Sequence, residues 1–142
     1  MFCFYRFLPT HRRPRVSQAL INVENTALPG VAHQVFGALH SKGILVNMIT
    51  QSSSQHSVTF VTSVANAEVA RAAIEATFAS DIVTGAISQV EVVAPCSIIA
   101  AVGDGMSATP GICGRFFDAL GTANVNVLAI ASKNNHDLQS QF

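Results

Sequence analysis

Two stretches of this chain decide how the rest is read: LPGVAHQVFGALHSKGILVNMITQ (residues 28–51) and TPGICGRFFDALGTANVNVLAIAS (residues 109–132). They align without a gap at a constant offset of 81, with identities at Pro29/Pro110, Gly30/Gly111, Phe36/Phe117, Ala38/Ala119, Leu39/Leu120, Val46/Val127 and Ile49/Ile130. A strand-like run precedes each copy, ALINVENTA (19–27) and IIAAVGDGM (98–106). Self-similarity at a fixed offset marks a repeated supersecondary unit.

The first copy can be followed in order. Residues 19–23 are apolar and β-branched and read as a strand. Pro29 suits the first turn of a helix, where its missing N–H has no partner to lose. Val31, Val35 and Leu39 recur at helical spacing, with Ala32, Phe36 and Ala38 beside them. Gly43 is placed to stop that helix. Residues 44–50 read as a second strand and 57–62 as a third. Asn66 is positioned to cap a second helix over 67–78, with Glu68 in its first turn. Val69, Ala73 and Phe78 are expected to face a core. Gly85 breaks the helix, and 87–93 reads as a fourth strand. The order βαββαβ is the ferredoxin-like α+β arrangement, with helices on one face of an antiparallel sheet.

The second copy gives a strand (97–102), a helix (110–122) and a strand (125–131), after which KNNHDLQSQF is polar and unpatterned. The expected organisation is an irregular basic head over 1–18, a complete unit over 19–95, a partial βαβ unit over 96–132 and an irregular tail over 133–142. Half a copy leaves a sheet edge and an apolar helix face uncovered, which favours association.

Composition narrows the function classes. Hydrophobic residues make up 49% and charged residues 11% of the 142, under half the usual charged share. So little charge suggests that part of the surface is covered by a partner or by further chain. The net charge is zero, but Arg6, Arg12, Arg13 and Arg15 are four of the eight cations. Residues 16–142 hold four cations against eight acids, a net −4. A nucleic-acid-binding domain needs a basic face on its folded part, and this one is acidic. No apolar run reaches the 18 or so residues of a membrane span. Cys3, Cys96 and Cys113 show neither zinc-site nor redox-pair spacing, so reduced thiols in a cytosol-like compartment are expected, with no metal and no cofactor. The acid-free head leaves open a plastid-targeting remnant as the alternative to a cytoplasmic protein.

GILVNMITQSSSQHSVTF (43–60) resembles the first ACT domain of aspartokinases, the bifunctional aspartokinase–homoserine dehydrogenases above all. AAVGDGMSATPGICGRFFDALGTANVNVLAIAS (100–132) resembles the start of their second ACT domain, and ALINVEN (19–25) fits the first ACT strand. The resemblance covers about residues 19–132. It implies a regulatory region that senses an end-product amino acid, threonine favoured over lysine, and passes feedback inhibition to an aspartate kinase. ACT domains of this kind pair side by side, so a second ACT-bearing chain, a homo-oligomer or a separate kinase chain is the implied partner. The family's kinase motif and the dehydrogenase G-x-G-x-x-G are both missing from these residues, so no catalytic residue is assigned. The alternatives are a non-binding incomplete fragment and a free-standing ACT adaptor that associates with another chain.

The resemblance also frames ITQSSSQHSVTF (49–60), a strand end rich in neutral hydrogen-bonding side chains. A zwitterion such as threonine needs acceptors for its ammonium and N–H groups for its carboxylate. Gln51, Thr50 and Ser52 are the candidate acceptors. Gly30 and Gly111 open helices whose free N–H groups suit a carboxylate. Asn126, where the first copy has Leu45, completes the candidate set. Neutral groups recognise a zwitterion with fewer charges to bury. The plainer reading of Gln51 and Ser52 is a solvated loop, and Gly30 and Gly111 could serve helix–strand packing alone. His33, His40 and His56 lack a nucleophile or a metal-spaced partner, and Asp104 reads as a turn residue.

Overall fold

The computed structural model describes residues 2–6, 17–25, 28–51, 57–101, 103 and 109–131, the backbone alone at 2–6 and 51. Two compact units divide the chain. The smaller comprises Met1–Arg6 with Ile98–Phe142, and the larger is Phe7–Ser97. The first strand, β1 (Phe2–Arg6), thus belongs with the C-terminal part of the chain.

The larger unit contains β2 (Gln18–Asn25), α1 (Val31–Ser41), β3 (Met48–Gln51), β4 (Ser57–Ser63), a 3₁₀ turn over Val64–Asn66, α2 (Ala67–Thr77), the short α3 (Ala79–Val83) and β5 (Ile87–Ala100) as far as Ser97. Its sheet order is β3-β4-β2-β5, antiparallel throughout. This is the ferredoxin-like order that the βαββαβ reading implies. Alternation along the strands separates two faces. Ile21 and Val23 of β2 and Val58 and Phe60 of β4 turn toward the helices and are almost fully buried. Val31, Val35 and Leu39 of α1 meet them, as do Ala70 and Ile74 of α2, with Phe78 and Ile87 closing the core. The Phe36 ring stands edge-on to Phe60, centroids 6.2 Å apart.

The two repeat helices end alike. In α1, Gly43 adopts φ +65°, its N–H donates to the His40 carbonyl, and the Ile44 N–H donates to Leu39 at 3.0 Å. This is a Schellman motif. The second repeat helix, α4 (Ile112–Thr122), ends the same way: Asn124 takes φ +54° and donates to Gly121, and Val125 donates to Leu120 at 2.9 Å. Asn124 stands 81 residues beyond Gly43, and asparagine is among the few side chains that tolerate the left-handed region.

Several expectations are corrected. Pro29 and Pro110 lie before the helices, because Gly30 and Gly111 are the N-cap residues. Asn66 makes no capping bond; the preceding 3₁₀ turn holds it in helical conformation at φ −96°, ψ −6°. Val69 is 51% exposed, and the buried face of α2 runs through Ala67, Ala70, Ala73 and Ile74. The fourth strand and the first strand of the second copy form one continuous element, Ile87–Ala100.

Cys96 lies inside that strand, 1% exposed, its thiol donating to the Gln18 carbonyl at 3.2 Å. Burial raises its pKa to about 11, against the lowering effect of a backbone hydrogen bond at Leu20. At pH 8 roughly 0.1% of such a thiol is ionised, against about a quarter for an ordinary cysteine of pKa ~8.5. Alkylation followed by peptide mapping should therefore show Cys96 reacting about a hundredfold or more slower than exposed Cys113, and denaturant should remove the difference. The raised folded-state value also means that Cys96 favours folding below pH ~8.5 and that this contribution fades as the pH rises toward 11.

The smaller unit holds β1, residues 98–100 at the end of β5, α4 and β6 (Val127–Ala131). β1 pairs antiparallel with β6 through Phe2↔Ala131, Cys3↔Ile130, Phe4↔Ala129 and Tyr5↔Val127, with an irregularity between Phe4 and Tyr5. In strand order β1 lies between β5 and β6. The irregular head is thus overturned over 2–6. FCFYR has three aromatics in five residues, a composition suited to a strand. The Arg12–Arg15 cluster lies outside the described residues. On α4, Ile112 and Phe116 are half-buried where their counterparts Val31 and Val35 are fully buried, and only Leu120 is closed off.

Candidate functional site

Strand direction fixes where the larger unit's candidate residues meet. β2 and β3 both run antiparallel to β4 and so parallel to each other. The helix joining them starts at the end where both finish. The end of β2 (Glu24, Asn25), the start of β4 (Ser57), the end of β3 (Thr50, Gln51) and the N-terminus of α1 therefore share one corner.

Gly30 caps α1 at φ +78°, with no side-chain cap. A Cβ at Gly30 would meet nothing within 4 Å, and the same holds at Gly111, φ +80°. Helix–strand packing does not require these glycines; the left-handed backbone does. Neither capping residue supplies a side chain to occupy the first-turn N–H groups of its helix, which carry the positive end of the helix dipole.

A residue not anticipated from sequence sits at the same corner. Asn25, the last residue of β2, is 5% exposed. Its Oδ1 accepts the Leu28 N–H at 3.1 Å, which shapes the approach to the helix. Its Nδ2 is buried without a hydrogen-bond partner among the described residues. A buried amide donor in this state is costly, and the penalty ends when an acceptor arrives. Strand alignment held the signal: two residues after Val23 the first copy has Asn25, and two after Val102 the second has Asp104.

Thr50 and Gln51 do not act from one face. Thr50 is in register with Thr59, which faces away from the helices and donates to the Asn22 Oδ1 at 2.8 Å. Position 51 is in register with helix-side Val58. The corner thus brings together Asn25, Gly30 and strand position 51 and leaves Thr50 on the reverse face. Ser52 and the Gln51 side chain lie outside the described residues.

In the smaller unit, Gly111 and Asn126 are not brought together. They lie at opposite ends of α4, and an 11-residue helix is about 16 Å long. Asn126 is exposed, and so is its first-copy counterpart Leu45, at 76%. Leu45 lines a shallow depression of about 360 Å³ with Phe36, His40 and Val46, at the C-terminal end of α1 and away from the polar corner. Among the described residues no group of three or more His, Cys, Asp and Glu could hold a metal ion.

The arrangement defines a ferredoxin-like α+β module in which two strand ends and a helix start form a polar corner. The ACT domain model matches residues 19–78 and 99–137, and the chain belongs to the ACT domain family. It is 46% identical over 116 residues to the bifunctional aspartokinase/homoserine dehydrogenase 1, chloroplastic, of Zea mays, covering 80% of this chain and 13% of that protein. It is 42% identical over 116 residues to the bifunctional aspartokinase/homoserine dehydrogenase of Haemophilus influenzae, covering 80% of this chain and 14% of that one. The chain thus spans about one-seventh of the length of these relatives. Among solved structures it resembles the regulatory subunit of aspartate kinase from Thermus flavus, with a TM-score of 0.69 and 26% identity over 83% of this chain and 78% of that one.

Proposed function

We propose that this chain is an amino-acid-sensing regulatory region of an aspartate kinase, with threonine the favoured effector over lysine. The observation that carries this reading is the polar corner of the larger unit, where the Asn25 Nδ2, buried without a hydrogen-bond partner among the described residues, shares the corner with the side-chain-uncapped start of α1. The α-carboxylate of the effector takes N–H groups of the first helical turn and the Asn25 Nδ2–H. Gln51 accepts from the ammonium, and Ser52 supplies a further hydroxyl. The edge of β3, paired on one side only within the larger unit, carries exposed Ile49 and is available to a second ACT-bearing chain or to a kinase chain. The effector regulates by preferring one arrangement of such a pair, which shifts the kinase toward its inhibited state.

Calorimetric titration of the chain tests this reading. Threonine is expected to bind saturably and lysine not at all. Gln51→Ala should weaken threonine binding tenfold or more at an unchanged unfolding midpoint. No heat with either amino acid, from cooperatively folded protein, would rule out the sensor. Equal affinity in the variant would remove Gln51 from the site.

A further inference from the structure

In the larger unit the third strand of the repeat, β4, lies between the first and second strands, β2 and β3. In the smaller unit the first and second strands are residues 98–100 and β6, and β1 lies between β5 and β6, antiparallel to β6 as β4 is to β3. β1 therefore occupies the place of a third strand while coming from the far end of the chain. We propose that this place is a strand-accepting slot, and that Phe2–Arg6 of a second copy of the chain can fill it in exchange for the chain's own.

Three features support exchange. β1 has only five residues, and its ladder with β6 is irregular between Phe4 and Tyr5, so few bonds must open to release it. Its covalent tie to the slot is indirect, because residues 7–97 form the other unit. The β1–β6 contacts are the same whether the strand comes from its own chain or from another. The competing term is the return of the chain's own strand, for which even a short flexible linker gives an effective concentration only in the ~mM range. The chain should be monomeric at low micromolar concentration and populate a reciprocally exchanged dimer toward ~1 mM.

The test uses the full chain and its Phe4→Pro variant. Proline has no N–H, and a strand with a neighbour on each side cannot spare one. In the variant, hydrogen exchange at 127–131 is expected to accelerate tenfold or more while 58–62 stay protected. A labelled peptide of sequence FCFYR, capped at both ends, should then bind one per chain and restore protection at 127–131. The wild-type chain should bind the peptide at least tenfold more weakly, because its own strand competes. Unchanged exchange at 127–131 in the variant would overturn the proposal. So would a lack of saturable peptide binding by a variant whose larger unit is intact. Sedimentation up to ~1 mM decides the second copy's part: a reversible dimer in wild type that Phe4→Pro weakens tenfold or more is expected, and equal dimerisation of the two chains, or a wild-type chain monomeric throughout, would overturn exchange between copies.

Discussion

Phe60→Ala is expected to lower the unfolding free energy of the larger unit by about 3–5 kcal/mol. Phe60 is fully buried in β4, between β3 and β2 in the sheet, and its ring meets Phe36 edge-on. Truncation removes the transfer free energy of the ring and leaves a cavity among side chains held by two helices and three strands, which cannot all move inward. A small domain has only about 5–15 kcal/mol in total, so the variant should unfold at a much lower urea concentration. Thr59→Ala is the matched comparison. Thr59 is the adjacent residue on the opposite face, where its part-buried hydroxyl donates to Asn22. Its loss should cost about 0.5–1.5 kcal/mol. Urea unfolding followed by circular dichroism measures both. Equal losses would mean that the helix side of the sheet is not the side that holds the unit together.

The contrast between Phe60 and Thr59 was open to reading from sequence, because a strand with one buried face alternates and SVTF does so at the start of β4, before Val61 and Thr62, both fully buried, break the pattern. The repeat was legible for a related reason. Leu39–Gly43–Ile44 and Leu120–Asn124–Val125 encode the same helix end with different residues, and the constant offset revealed the match before any geometry was known. The phase of α2 was harder. In AEVARAAIEAT apolar residues stand on every side, so hydropathy alone does not choose a face. The charges do: Glu68, Arg71 and Glu75 share one exposed side, where Arg71 Nη2 lies 2.9 Å from Glu68 Oε2. The opposite side carries Ala70, Ala73 and Ile74. The pairing of β1 with β6 was not legible, because nothing local to FCFYR specifies a partner more than a hundred residues away. The site was readable in part. The repeat pointed to the helix starts and the polar strand end, whereas separating Thr50 from Gln51 needed the strand register. Asn25 needed its burial and its missing partner.

Asn25→Ala should separate binding from stability. A residue conserving only local structure would contribute its Oδ1 bond to the Leu28 N–H, and losing that bond would cost about 0.5–1.5 kcal/mol of stability. Asn25 also buries an Nδ2–H that has no partner among the described residues, and alanine removes that penalty, about 1–3 kcal/mol for a fully desolvated donor. The two terms oppose each other, so without ligand the variant should unfold within about 1 kcal/mol of wild type. With effector present the signs agree. Wild type gives its buried donor an acceptor on binding, and the variant has no donor to give. Losing a hydrogen bond to a charged carboxylate is expected to weaken threonine binding by about 10- to 100-fold. Thermal unfolding with and without threonine reads both quantities in one experiment, because a ligand that binds only the folded state raises the midpoint by an amount that grows with the logarithm of its concentration over Kd. The expected result is similar midpoints without threonine and, at the same threonine concentration, a markedly smaller shift in the variant than in wild type. A variant that is clearly destabilised without ligand yet shifts as far as wild type would make Asn25 a turn-forming residue and move the effector's carboxylate elsewhere.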